Sequence, residues 1–324
     1  MSMIVARRRA GTAPAHGIPY PIPSTPPYNA PTYCETPTPD GTGSVVHPGV
    51  IDFGSGRKWH GYRFWMAVTG YWQESNAAEN PNILGSNDAF HWAVPAGLTN
   101  PVYPKPGGTR FNSDTDLEYD PRSDELVMIY REQQLDSSQQ TLIARSPDGI
   151  TWPAKAVPLN WTRPETTGQV LSPALIRRGE GDWWLFGIFE RTSAFIYYRA
   201  SAPEGPWTGP TTVATTLPSP AWHMDVAWDG AAFRALIDKG PLYKAAGDGY
   251  AVGSSANGNA WAWNPSNVMD LPASGWDSIE LYRASIAPHE NGTLMRVWYS
   301  AEGPESWRVG YTELPVSLWP APPA

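Results

Sequence analysis

The chain has 324 residues, 41% of them hydrophobic and 17% charged, a globular composition with enough length to bury a large core. Its formal charge of −8 argues against a nucleic-acid partner, which would demand a basic stripe, and no run reaches the roughly 18 apolar residues that a membrane span needs. A single cysteine, Cys34, excludes an internal disulfide and a thiolate metal cluster.

Residues 1–43 differ from the rest. They hold nine prolines and few large aliphatic residues after Val5, so they favour extended backbone and cannot form a core of their own. They read as an arm, either a disordered leader or a strap that becomes ordered along a neighbouring subunit. Arg7-Arg8-Arg9 and the aromatics Tyr20, Tyr28 and Tyr33 would be its anchors. The first residues lack the apolar core of a secretory signal, so a protein working outside a cell would leave by lysis or a specialised apparatus.

From residue 44 the elements recur. Five short runs open with polar or small residues and carry an apolar fourth residue: His47 to Val50, Asp114 to Leu117, Ser172 to Leu175, His223 to Val226 and Arg283 to Ile286. Each leads to a strand rich in aromatic and aliphatic residues, namely Tyr62 to Thr69, Glu125 to Tyr130, Trp183 to Phe189, Ala231 to Ile237 and Leu294 to Tyr299. A serine, five residues and a tryptophan then follow in four units: Ser86 to Trp92, Ser146 to Trp152, Ser201 to Trp207 and Ser255 to Trp261. The tryptophans are 60, 55 and 54 residues apart, and a degenerate fifth copy runs from Ser300 to Trp307. In the copy Ser146-Pro-Asp148-Gly149-Ile-Thr-Trp152, Asp and Gly suit a hairpin turn, since Asp bonds its own backbone and Gly accepts positive φ.

Four short antiparallel strands per unit, repeated five times, predict an all-β, five-bladed β-propeller over 44–317, with a short Pro-rich tail at 318–324. A blade cannot stand alone, so 44–317 is one domain. Ring closure would use a strand near Ser44 to Phe53 or the C-terminal strand Arg308 to Thr312. The 17 Trp and 15 Tyr serve as filler between blades, with a few left to stack on sugar rings.

The inner strands of a propeller surround a central channel, and alternate residues of a strand face the same way. The first and third positions of the opening runs should therefore line one funnel: His47 and Gly49, Asp114 and Asp116, Ser172 and Ala174, His223 and Asp225, Arg283 and Ser285. The ends of the second strands border it with Tyr71, Trp72, Arg131 and Glu190. This set could be a buried polar network in which Arg283, His47 and His223 satisfy the aspartates. It could equally be a glycan site, because paired carboxylates in an aromatic-walled cleft are what glycosidic hydrolysis needs. On that reading Asp116 or Asp225 is the base and Glu190 the acid. His47, Tyr71, Trp72, Asp114, Arg131, His223, Tyr282 and Arg283 would hold substrate. No cofactor fingerprint and no metal-binding motif is present, though His47 and His223 near Asp114 and Asp225 could hold a central ion, calcium or another.

The run Ser146 to Trp152 with aspartates on inner strands resembles the five-bladed propeller glycoside hydrolases of the arabinanase, xylosidase and invertase type. His47-Pro-Gly-Val-Ile, Gly61-Tyr-Arg-Phe-Trp-Met-Ala, Asn80-Pro-Asn-Ile, Trp222-His-Met-Asp-Val and Leu281-Tyr-Arg-Ala-Ser are similar to propeller domains of bacterial surface proteins and of minor tail proteins of actinobacterial phages. The glycosidase resemblance implies a base Asp on the first inner strand, a second Asp on the next and an acid Glu on the third. This chain departs from that pattern with His47 and Gly49 on the first and Ser172 and Ala174 on the third. The Ser-x-Asp repeat also resembles the sialidase Asp box, of whose arginine triad and tyrosine nucleophile only Arg283 and Tyr282 offer a fragment.

Together these readings lead to the expectation of a phage tail protein, located in the virion or outside the cell. It would bind a cell-surface glycan, with cleavage left open, and dock to other tail subunits through residues 1–43, and its propeller would fold without that arm. A free bacterial glycosidase and a non-catalytic, carbohydrate-binding propeller are the alternatives.

Overall fold

The computed structural model describes residues 17–108, 110–133, 139–161, 169–239 and 249–323. These form a five-bladed β-propeller. The inner strands are Val45–Asp52, Phe111–Asp120, Val170–Gly179, Met224–Trp228 and Glu280–Pro288. Each pairs antiparallel with the second strand of its blade, and the third and fourth strands follow outward in blades one to four.

The hairpin repeat works as its residues require. In the second blade Ser146 Oγ accepts the Gly149 N–H at 2.9 Å, and Asp148 Oδ1 accepts those of Ile150 and Thr151. Ser255 and Asn257 do the same in the fourth blade, and Ser86 and Asp88 in the first. The turn also serves the neighbouring blade. A Cβ on Gly149 would lie 2.2 Å from the ring of Trp65 of blade one, and one on Gly258 would lie 2.5 Å from Trp184 of blade three. Glycine at these turns therefore answers both a φ near +75° and a close aromatic approach. The fifth copy is displaced. Ser300 lies in a second strand, Leu294–Glu302, and donates to the Arg283 carbonyl, while Trp307 opens the third strand, Trp307–Pro315.

Hydrophobic clusters fill the junctions between blades. Trp65 and Met128 meet between blades one and two, Ile129 and Leu185 between two and three, and Phe186 and Phe233 between three and four. Tyr250 and Tyr299 meet between four and five, and Phe64 and Trp298 close the circle. Each large side chain buried in this way contributes about 1.5–3 kcal/mol.

Blade five supplies only three strands from the C-terminal part of the chain, and the segment before residue 44 completes it. Tyr33 bridges antiparallel to Gly310, and the Cys34 N–H donates to Val309 O at 2.7 Å. One residue on, Glu35 crosses to blade one, its N–H donating to Phe90 O and its carbonyl accepting from Trp92 N–H. Tyr28 and Ala30 are buried in the four–five junction and Cys34 in the five–one junction. The expectation of an arm reaching a neighbouring subunit is corrected for residues 17–43: Tyr20, Tyr28 and Tyr33 anchor on the chain's own propeller because its last blade lacks an outer strand. Arg7 to Arg9 lie outside the described residues. Neither of the two expected closing strands plays that part alone, since Val45–Asp52 is an inner strand and Arg308 to Thr312 belongs to a third strand. The tail also packs: Trp319 is buried in the four–five junction and donates to Ala235 O at 3.0 Å.

Close packing around the channel sets a first expected result. A Cβ at Gly49 would meet Asp116 Cα at 2.7 Å and Leu117 N at 3.0 Å, so the obstacle is backbone and cannot swing aside. Gly49→Ala should lower stability by about 1–3 kcal/mol, read as a shift in the urea midpoint with an unchanged slope.

Candidate functional site

Bulges decide which side chains face which mouth of the channel. The pairing of inner and second strands slips between Val46 and Gly49, between Ser113 and Asp116, between Leu171 and Ala174, and between Leu281 and Ala284. An extra residue in a strand breaks the alternation of its faces and re-aims a side chain. His47, Asp114 and Ser172 sit at these slips with φ of +57°, +50° and +46°, a strained conformation for residues other than glycine. They turn towards the mouth at the start of the inner strands. Of the third-position residues, Asp116, Asp225 and Ser285 border the other mouth.

At the first mouth one residue from each blade meets its neighbour. The Asp114 N–H donates to His47 Nδ1 at 3.2 Å, the Ser172 N–H donates to Asp114 Oδ2 at 2.9 Å, and Ser172 Oγ lies 2.5 Å from His223 Nδ1. Tyr282 of the fifth blade packs its ring against His223 at 4.0 Å and His47 at 5.3 Å. Asp114, wholly buried, is also 3.1 Å from His47 Nε2 and 2.6 Å from Arg131 Nε. Neither contact has hydrogen-bond geometry, and both nitrogens are left without a hydrogen-bond partner. Arg131 Nη1 donates to Gln169 Oε1 at 2.6 Å, and Asp238 Oδ1 accepts the N–H groups of Trp222 and His223.

Above this floor lies a cavity of about 390 Å³, within the range of small-ligand sites. His47, Glu79, Arg131, Glu190, Trp222 and Tyr282 are among its walls. Burial lowers the pKa of His47 to about 3 and holds that of His223 well below the usual imidazole range, so both rings are neutral at neutral pH. Burial alone would raise the Asp114 carboxyl, but the guanidinium of Arg131, with that of Arg283, outweighs it and keeps the group ionised. Glu79 behaves in the opposite way. Burial and then the Asp114 charge raise it well above the ordinary carboxylate value, making it a proton donor on the cavity wall.

The structure thus brings together His47, Tyr71, Asp114, Arg131, Glu190, His223 and Tyr282, as the sequence suggested. It separates Asp116, Asp225 and Trp72 from them. Asp116 and Asp225 border the opposite mouth, in a separate hollow of about 220 Å³. Asp116 Oδ2 accepts the Leu175 N–H at 2.6 Å, Asp225 Oδ2 the Ile286 N–H at 2.7 Å, and Ser285 Oγ the Val50 N–H at 3.0 Å. Each ties its blade to the next, so a pairing of Asp116 or Asp225 as base with Glu190 as acid in one cleft is not what the fold builds. Arg283 is fully buried, its Nη2 donating to Pro173 O at 3.1 Å. Glu79 and Trp222 were missed. Glu79 stands on the loop before Asn80-Pro-Asn-Ile, and only its burial beside Asp114 marks it. Trp222 was visible as the neighbour of His223 but carried no signal of its own.

Burial raises the carboxyls of both Asp116 and Asp225, and the Asp116 charge lifts Asp225 further, against the pull of Arg283 and backbone N–H groups. Because the folded value exceeds the ordinary 3.8, this proton's contribution to stability is complete below that pH and is lost as pH rises through the folded pKa. Asp225→Asn keeps an acceptor for Ile286 and cannot ionise. The fall in Tm between about pH 5 and about pH 9 should therefore be smaller in the variant than in the wild type; an equal fall would mean that Asp225 is ionised throughout.

Three buried groups, His47, Asp114 and His223, offer ligand atoms that all lie within 4.8 Å of one another. His47 Nε2, Asp114 Oδ1 and His223 Nε2 have no hydrogen-bond partner. Two neutral imidazoles and a carboxylate suit a first-row divalent cation. A proton shared between His223 Nδ1 and Ser172 Oγ leaves Nε2 free, the usual support for a ligating histidine. His47 fits less directly. Its Nδ1 accepts the Asp114 N–H, so binding through Nε2 requires that bond to be given up or the ring to turn.

No family model matches the chain. It is 24% identical over 354 aligned positions to the A type blood N-acetyl-alpha-D-galactosamine deacetylase of Flavonifractor plautii, covering 83% of this chain and 44% of that protein. The chain thus spans less than half the length of that relative. Among solved structures, an N-acetylgalactosamine deacetylase from F. plautii in complex with blood group B trisaccharide superposes with a TM-score of 0.72 at 21% identity, over 90% of this chain and 96% of that one. A thermostable family-43 glycoside hydrolase gives 0.61 at 10% identity, covering 84% and 89%. The catalytic domain of the Coprinopsis cinerea GH62 alpha-L-arabinofuranosidase gives 0.58 at 12% identity, covering 89% and 96%. These likenesses bear out the five-bladed propeller and its relation in fold to glycosidases. None of the three is to a virion protein.

Proposed function

We propose that the chain is a carbohydrate-active hydrolase that removes the acetyl group from an N-acetylated amino sugar at the end of a glycan. The observation that carries this reading is the buried cluster of His47, Asp114 and His223, of which His47 lines a saccharide-sized cavity whose wall also carries Glu79, raised by burial well above the ordinary carboxylate range. The similarity to a deacetylase supports it. Asp114 and the two imidazoles would hold a divalent cation, which would supply Lewis acidity towards an amide carbonyl and make water more acidic. Arg131 fixes the Asp114 carboxylate, and Ser172 fixes the His223 ring. Glu79 can deliver a proton to the departing amine, while Trp222 and Tyr71 wall the sugar.

Glycosidic hydrolysis is the second reading, favoured by Glu79 and Glu190 lining the same cavity. Incubation with N-acetylgalactosamine-terminated oligosaccharides separates the two: acetate release without chain cleavage supports deacetylation, and a freed sugar supports the glycosidase. Binding without either product would favour a carbohydrate-binding module. A tail subunit docked through residues 1–43 is the weakest reading, since residues 17–43 are occupied on their own propeller.

A further inference from the structure

Trp72 is one of three large hydrophobic residues that the described part of the chain exposes, at 44%. It does not line the main cavity. It stands over a second hollow of about 190 Å³, and Tyr71 borders both spaces. The turn Trp72–Glu74 presents it through Gln73 at φ +53°, a conformation that costs energy in a residue other than glycine. Opposite stand Thr38 and Asp40 of the N-terminal segment, in a turn where Asp40 accepts hydrogen bonds from Thr42. Asn80 and Asn82 are also in the lining. Asn82 is 2% exposed; its Nδ2 donates to Asn80 O at 2.8 Å, and its Oδ1 has no partner.

An exposed indole beside a buried amide acceptor that lacks a donor is chemistry suited to a sugar ring. The apolar face of a pyranose packs on the indole, and a hydroxyl can donate to an amide oxygen. We infer that this hollow is a second saccharide subsite, holding the unit next to the one in the main cavity, and that Trp72 sets a preference for oligosaccharides over single sugars. The inference rests on the reading of the main cavity as a saccharide site. Tyr71, which borders both spaces, sets them side by side. The N-terminal segment then has two tasks, closing the ring and walling the subsite.

Isothermal titration calorimetry with methyl N-acetyl-α-galactosaminide and with the blood-group A trisaccharide tests this on wild type and Trp72→Ala. Trp72 is exposed, and an unchanged Tm verifies that the variant folds. The wild type should bind the trisaccharide more tightly than the monosaccharide. Trp72→Ala should weaken trisaccharide binding about tenfold and leave monosaccharide binding unchanged. Equal loss for both ligands, or no loss for either, overturns the subsite and leaves the main-cavity reading standing. If the wild type binds neither saccharide, both fail.

Discussion

Replacing His223 by alanine should reduce acetate release from an N-acetylgalactosamine-terminated oligosaccharide by at least about a thousandfold. The imidazole is the best prepared of the three candidate ligands. Its Nδ1 is held by Ser172, its main chain is pinned by Asp238, and its ring rests on Tyr282. Burial keeps it neutral, and with the ring proton on Nδ1 facing Ser172 its Nε2 lone pair is available for a cation. Because the residue is wholly enclosed, the alanine variant also leaves a cavity, and His223→Gln is the companion that keeps volume and polarity. Elemental analysis of the purified proteins gives a readout independent of turnover. The wild type should carry close to one equivalent of a divalent metal, and both variants much less. Wild-type activity that survives exhaustive chelation, with no metal found, would refute the assignment.

A chain that begins at residue 44 should fail to give a stable propeller, appearing as aggregate or melting far below the intact protein. The missing segment makes main-chain hydrogen bonds to Val309, Phe90 and Trp92, and Tyr20 OH donates to Tyr311 O at 2.6 Å. Ala30 N–H donates to Tyr299 OH at 2.9 Å, Thr312 Oγ1 to Tyr28 O at 2.6 Å, and Trp276 Nε1 to Ala30 O at 2.8 Å. At about 1 kcal/mol net for each hydrogen bond, and more for the burial of Tyr28 and Cys34, the loss approaches the roughly 5–15 kcal/mol that holds a domain together. Thermal unfolding and size-exclusion chromatography of the truncated and intact chains check this. A soluble, cooperatively melting truncation within a few degrees of the intact Tm would show that the segment is ornamental.

The blades were legible because their signals are local. Ser146, Asp148 and Gly149 bond within a single turn, so spacing and residue type suffice to find them. The site was half legible. His47, Asp114 and His223 stood out as polar residues at the starts of inner strands, but simple alternation put Asp116 and Asp225 beside them. In the second blade a bulge adds a residue without a sequence mark of its own, in the fourth His223 lies just before the strand Met224–Trp228, and the positive φ of His47, Asp114 and Ser172 shows only in the folded chain. The N-terminal segment was misread for a different reason. Its prolines and scattered small residues suit an extended strand, while the partners that give that strand a place, Tyr299, Val309 and Thr312, lie at the far end of the chain.

That distance has a consequence in time. The bond between Ala30 and Tyr299 spans 269 positions and that between Tyr20 and Tyr311 spans 291. During synthesis the strap precedes its dock, so Tyr20 and Ala30 must wait, unpaired, until the strands that carry Tyr299 and Tyr311 have emerged. Contacts of such long range are slow to form. The relay His47, Asp114, Ser172 and His223 needs four blades in place, and Tyr282 supplies its fifth wall only when the last has docked. Ring closure and the completion of the cavity are therefore one event.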